Sequence, residues 1–214
     1  QAGTNPLKLF TSGALIPDAV IHARSQPLYD KCPTKPSLAR YRVVIIHGWN
    51  SNANDWPKDM KNAIQPKINN NLDWDDTCTY NWDKDAATPG PKAAWDNAPI
   101  HGTKLGYDLF HMGYSHIHFI AHSAGSKLLQ TAVDTIMTEY NLLRTDPTCI
   151  SLPIPQNCFL PKPTIHSTFL DAYVPYFEAL SSTTTRALES YGQHATWAEH
   201  YVERGTPLEE TNSL

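Results

Sequence analysis

Apolar positions along this chain follow two alternating patterns. Short, continuous β-branched runs are separated by stretches in which large apolar residues recur every three or four positions. Arg42 to His47 contains Val43-Val44-Ile45-Ile46, the composition of a strand buried on both faces. From Asp55 to about Asn70, the residues Trp56, Met60, Ile64 and Ile68 share one helical stripe. Asp55 is placed to cap that helix, and Pro57 suits its first turn. Thr77 to Trp82 predicts a second strand. Thr103 to about Tyr114 predicts a helix with Leu105, Leu109 and Met112 as its core stripe. A strand then ends at Ala121, and a helix follows it to about Tyr140. Thr164 to Leu170 predicts a strand ending at Asp171, 177–191 one short helix, and Trp197 to Val202 a last strand. Alternation of this kind predicts an α/β fold, with a mostly parallel central sheet flanked by helices.

Between these elements lie three stretches without periodicity. Residues 1–39 carry Pro6, Pro17, Pro27, Pro33 and Pro36 and read as irregular N-terminal decoration. Residues 83–101 and 141–163 are polar or proline-rich and longer than ordinary connectors, which assigns them to cleft walls or a lid. The whole chain, 1–214, reads as one domain.

Composition narrows the possibilities. With 214 residues, 41% of them apolar, the chain can bury a sizeable core. A net charge of −4 provides no basic patch for nucleic acid or an anionic membrane. No apolar run approaches the roughly 20 residues needed to span a bilayer. No signal peptide is legible, and a first residue of Gln1 suggests a processed start. The cysteines are Cys32, Cys78, Cys149 and Cys158. The last two bracket a short proline-rich loop, which favours a Cys149–Cys158 disulfide and leaves Cys32–Cys78. That reading places the protein in a secreted or otherwise extracytoplasmic setting. Four reduced core cysteines in a cytosolic enzyme are the alternative.

The candidate chemistry lies at the carboxyl ends of the predicted strands, where open α/β sheets bind their ligands. Ile117-His118-Phe119-Ile120-Ala121-His122-Ser123-Ala124-Gly125 reads as strand, small-residue turn and helix. A serine on such a turn projects its Oγ above the sheet edge as a nucleophile. The pattern departs from G-x-S-x-G only in having Ala121 first. The backbone N–H of Ala124 would then face a developing oxyanion at a helix N-terminus. Gly48 lets the chain turn sharply after the first strand and aims the N–H of Trp49 at the same point. His47 would brace that loop by a side-chain hydrogen bond. Asp171, ending an apolar strand, is the candidate acid. His116 and His118 share a strand face without a third ligand at metal spacing, so they read as hydrogen-bonded core or edge residues. His101 and His111 read as surface residues. Trp49, Trp56, Trp82 and Trp95 suggest either an apolar pocket or ordinary packing.

VVIIHGWNSNANDW (Val43–Trp56), IHFIAHSAGSKL (Ile117–Leu128) and TFLDAYVP (Thr168–Pro175) resemble the α/β-hydrolase superfamily. They are most similar to its pancreatic-lipase-type branch and microbial lipase-like relatives. The resemblance covers roughly residues 40–203. It implies an α/β-hydrolase fold, Ser123 as nucleophile, Asp171 as triad acid, and Trp49 and Ala124 as oxyanion donors. The order Ser, Asp, His requires a base after Asp171. His200 and His194 are the histidines available there, and the branch implies a further one on a loop beyond Leu214 in a chain that is C-terminally incomplete. The expected activity is cleavage of carboxylic esters, lipid or short-chain, through a Ser123 acyl-enzyme, without cofactor or metal and with contact to a lipid interface allowed. An amidase or peptidase on the same scaffold, or a catalytically silent binding protein, are the competing expectations.

Overall fold

The computed structural model describes residues 39–150, 162–175 and 190–202. Strands β1 (Tyr41–Ile46), β2 (Cys78–Tyr80), β3 (His116–His122), β4 (Thr164–Leu170) and β5 (Trp197–Tyr201) form one sheet in the order β2-β1-β3-β4-β5. Every neighbouring pair is parallel. Ile46 pairs with Ala121, Ala121 with Phe169, and Phe169 with His200, which aligns the carboxyl ends of β1, β3 and β4 along one edge. Helices α1 (Trp56–Ile68), α2 (Asp83–Ala86), α3 (Pro91–His111), α4 (Gly125–Thr145) and α5 (Pro147–Ile150) connect or follow the strands. The architecture is general α/β, as the alternation predicts.

Side chains of alternate strand residues divide the core. Val44, Ile46, Ile117, Phe119, Ala121, Ile165 and Phe169 pack with the buried stripe of α3 and α4, including Leu105, Leu109, Leu128, Leu129, Val133 and Ile136. Val43, Ile45 and Ile120 face the other way and meet Trp56, Met60 and Ile64 of α1. The α1 stripe is therefore real, but Asp55 does not cap it with its side chain. Its carboxylate instead accepts a 2.6 Å hydrogen bond from Asn52.

The stretch 83–101 is not a polar loop. It folds as α2 and the first half of α3, which starts at Pro91, twelve residues before the predicted Thr103. Proline at N1 costs this helix no hydrogen bond, and the stripe continues through the fully buried Ala94 and Ala98. Small residues at those positions, with Pro99 inside the helix, hide the periodicity from a reading that looks for large apolar residues. Gly102 and Gly106 let α3 lie directly on α4: a Cβ would stand 2.5 Å from the Leu128 carbonyl oxygen at the first and 2.4 Å from that of Ala132 at the second. Helix α4 also outruns its predicted end, reaching Thr145.

Cys78 and Cys149 are both disulfide-bonded. The expected partners, Cys32 and Cys158, the decoration at 1–38, most of the 141–163 insertion beyond Ile150 and most of the short helix expected in 177–191 lie outside the described residues. No helix among the described residues is long and apolar enough to cross a membrane.

Candidate active site

Ser123 stands between β3 and α4 with φ of 51°, in the left-handed region that a serine rarely occupies. The turn is held on three sides. The Ser123 amide donates to the Leu170 carbonyl at 3.0 Å, the Ser123 carbonyl accepts from the Ser126 amide at 2.9 Å, and the Tyr173 amide reaches the same oxygen at 3.3 Å. Two glycines bring the end of β1 against it. A Cβ on Gly48 would lie 2.8 Å from both the Ser123 Cβ and the His122 carbonyl oxygen. A Cβ on Gly125 would lie 2.4 Å from the His47 carbonyl oxygen. The segments His47-Gly48-Trp49 and Ser123-Ala124-Gly125 therefore touch, backbone to backbone. Neither the Trp49 nor the Ala124 amide donates to a main-chain carbonyl among the described residues.

The β1 loop is braced from beneath by α2 and its flanks. His47 is fully buried, and its Nδ1–H donates to the Gly48 carbonyl at 3.0 Å. Its Nε2 lies 2.9 Å from an Asp83 carboxylate oxygen. Burial holds the His47 pKa below the ordinary histidine value, while the Gly48 carbonyl and the Asp83 charge work against that shift. The Trp82 indole donates to the His47 carbonyl at 2.9 Å, the Asn50 amide to Ala86 at 3.1 Å, and the Trp49 indole to Thr88 at 2.9 Å. The bracing role read for His47 is thus present. Its neighbour Asp83 is invisible to local sequence pattern, because it lies 36 positions away along the chain.

Asp171 follows β4 and carries the same left-handed backbone, with φ of 43°. His122 pairs with Leu170, so Ser123 and Asp171 each follow directly on the last register pair of two adjacent strands. The Asp171 amide donates to the Tyr201 carbonyl at 2.8 Å. Its charge acts on His122, whose pKa burial nevertheless holds low. The His122 ring turns away to meet the Trp56 ring edge-on at 5.9 Å.

The two named histidines lie elsewhere. His200 is paired with Phe169 and stacks on its ring, centroids 4.7 Å apart. It sits level with Ala121, two strands over, so about 9.6 Å of lateral spacing plus two residues of β3 separate it from Ser123. His194 occupies the turn before β5, at the amino end of the sheet, 3.0 Å from an Asp134 carboxylate oxygen. Among the described residues, no histidine is hydrogen-bonded to the Ser123 hydroxyl.

Other expectations meet specific outcomes. His101 is buried rather than on the surface, between the Tyr80 hydroxyl at 3.1 Å and Asp85 at 2.7 Å. His118 is hydrogen-bonded to Thr168 at 2.9 Å and stacked on His166; burial, then the neighbouring His166 and His116, push its pKa down to about 4. No group of three or more His, Cys, Asp or Glu among the described residues is arranged to hold a metal ion. Of the four tryptophans near the strand ends, Trp82 is core, Trp56 packs under the sheet and Trp95 donates to Tyr191; only Trp49 is exposed, at 38%. No family model, no curated protein and no solved structure matches this chain.

Proposed function

We propose that the protein is a serine hydrolase of α/β-hydrolase type that cleaves carboxylic esters through an acyl-enzyme on Ser123. The observation that carries this reading is Ser123 itself: a left-handed serine on a strand-to-helix turn, pressed against the loop after β1 by Gly48 and Gly125. Strain at such a position persists where it serves function. In this reading the Ser123 hydroxyl attacks the ester carbonyl and passes its proton to a histidine base. The amides of Ala124 and Trp49 receive the oxyanion, and Asp171 orients the base. Collapse of the tetrahedral intermediate expels the alcohol, which takes the proton from the base. Water then releases the acid by the same route. Of the two histidines that follow Asp171, His200 on β5 lies nearer the strand ends that carry Ser123 than His194, which sits at the amino end of the sheet. The resemblance to lipases supports an ester or lipid substrate. The bonded state of Cys78 and Cys149 supports an oxidising, extracytoplasmic setting.

The test is covalent labelling with a fluorophosphonate, followed by intact mass against the 24.0 kDa chain and mapping of the adduct. One probe on Ser123, absent from Ser123→Ala, is the expected result. A folded chain that stays unlabelled favours a silent hydrolase-like binding protein.

A further inference from the structure

His47 stands between two acceptors, and a neutral ring has one N–H to give. The Gly48 carbonyl, 3.0 Å from Nδ1, can only accept, so Nδ1 carries the hydrogen. The Asp83 carboxylate oxygen that lies 2.9 Å from Nε2 has no hydrogen-bond partner among the described residues. Complete burial disfavours a second, charging proton on the ring and holds its pKa low. Nε2 is therefore bare, and the donor that meets it is the Trp82 backbone amide, at 3.4 Å. Trp82 holds the same residue at a second point: its indole N–H donates to the His47 carbonyl at 2.9 Å, with the two ring centroids 5.7 Å apart. We propose that Trp82 is a positioning residue for the oxyanion site: by donating to Nε2 it keeps the His47 hydrogen on Nδ1, which holds the Gly48 carbonyl and so aims the Trp49 amide.

The inference rests on the serine-hydrolase reading for its purpose, though not for its geometry. A trans peptide is planar, so the carbonyl and N–H of the Gly48–Trp49 peptide point to opposite sides. With the carbonyl turned toward His47, the N–H faces away from it. A flipped peptide would present a carbonyl oxygen instead, which repels an oxyanion rather than binding it. Nδ1–H opposes that flip, and the ring offers it in only one of its two neutral tautomers. The other tautomer, with the hydrogen on Nε2, has a ready acceptor in Asp83 at 2.9 Å and would leave the Gly48 carbonyl without its donor. Which nitrogen carries the hydrogen is set by the bond the other one makes. The Trp82 amide supplies that bond and so excludes the competing tautomer. Its aim is secured by the indole anchor and by α2, which starts at the next residue. Trp82 is itself only 1% exposed, so water does not compete for its N–H groups.

The deciding experiment is NMR on the 214-residue chain labelled with ¹⁵N and ¹³C, reading the His47 ring nitrogens and the Gly48 carbonyl carbon at neutral pH. The wild type is expected to show a neutral ring with its hydrogen on Nδ1, and a scalar coupling between the Trp82 amide nitrogen and Nε2. A hydrogen on Nε2, or on both nitrogens, would overturn the proposal. So would the absence of that coupling, a result that decides the matter even if no variant folds. Trp82→Phe keeps an aromatic ring but removes the indole anchor. It is expected to move the His47 hydrogen toward Nε2, shift the Gly48 carbonyl resonance and slow fluorophosphonate labelling of Ser123 by about 10²-fold, the cost of one lost oxyanion donor. A folded Trp82→Phe whose His47 tautomer matches the wild type removes Trp82 from the role. Labelling of the wild type separates the two readings. A labelled Ser123 with the His47 hydrogen on Nε2 sinks this inference alone. An unlabelled Ser123 with Nδ1–H held by Trp82 sinks the hydrolase reading and leaves the Trp82–His47–Gly48 linkage standing.

Discussion

Ser123 and Asp171 hold left-handed backbone conformations at the ends of neighbouring strands. Each costs an L-residue roughly 1–3 kcal/mol, which the surrounding hydrogen bonds and packing must offset. Glycine has no such penalty. Ser123→Gly is therefore expected to raise thermal stability by about 1 kcal/mol while abolishing fluorophosphonate labelling. Calorimetry beside the labelling assay measures both, and a lower melting temperature would show that no strain is stored at the turn. Asp171→Asn is expected to leave the fold intact and slow labelling by about 10⁴-fold, the cost of misorienting a triad base. A labelling rate like that of the wild type would remove Asp171 from the site.

At the scale of elements, the contact between α3 and α4 rests on having no side chain at Gly102 and Gly106. The second glycine meets backbone, which cannot rotate aside. Gly106→Val is expected to push the helices apart and cost about 3 kcal/mol or more in denaturant unfolding, at the upper end of overpacking penalties. A change below 1 kcal/mol would mean the pair tolerates a wider spacing. Helix α2 has only four residues, yet it connects the loop after β1 to α3 through Asp83, Asp85 and the Ala86 carbonyl. An element too short to be stable alone is held here by what it contacts, and in return it holds the loop beside Ser123.

Across the molecule, the amino end of the sheet is closed by a buried polar cluster. Arg42 Nη1 lies 2.6 Å from Asp75, and the Tyr114 hydroxyl donates to the same carboxylate at 2.6 Å. Burial alone would raise the Asp75 pKa, but the hydrogen bonds from Tyr114 and the Asp76 amide, with the Arg42 charge, outweigh it and hold the carboxyl low. Burial and the Asp75 contact push the Tyr114 phenol up to about 12. Because the folded Asp75 pKa is depressed, its stabilisation is present above the ordinary value of 3.8 and lost as pH falls through the folded value. Asp75→Asn is expected to cost about 3–5 kcal/mol at neutral pH by leaving Arg42 buried without its counter-charge. It should also flatten the acid limb of a stability–pH curve, and an unchanged limb would assign acid unfolding to other groups. By itself the sequence determined the strand–helix alternation, the doubly buried β1, and the serine turn with its glycines, since each is written in residues close together along the chain. It did not reveal that 83–101 is largely helical, because alanines and a proline mask the stripe that only burial against α4 exposes. Nor did it determine which charges meet. His47 finds Asp83, His101 finds Asp85, His194 finds Asp134, and His200 comes to rest on Phe169 through sheet register and helix packing. Those pairings join residues distant in sequence, and only the folded chain brings their side chains within reach.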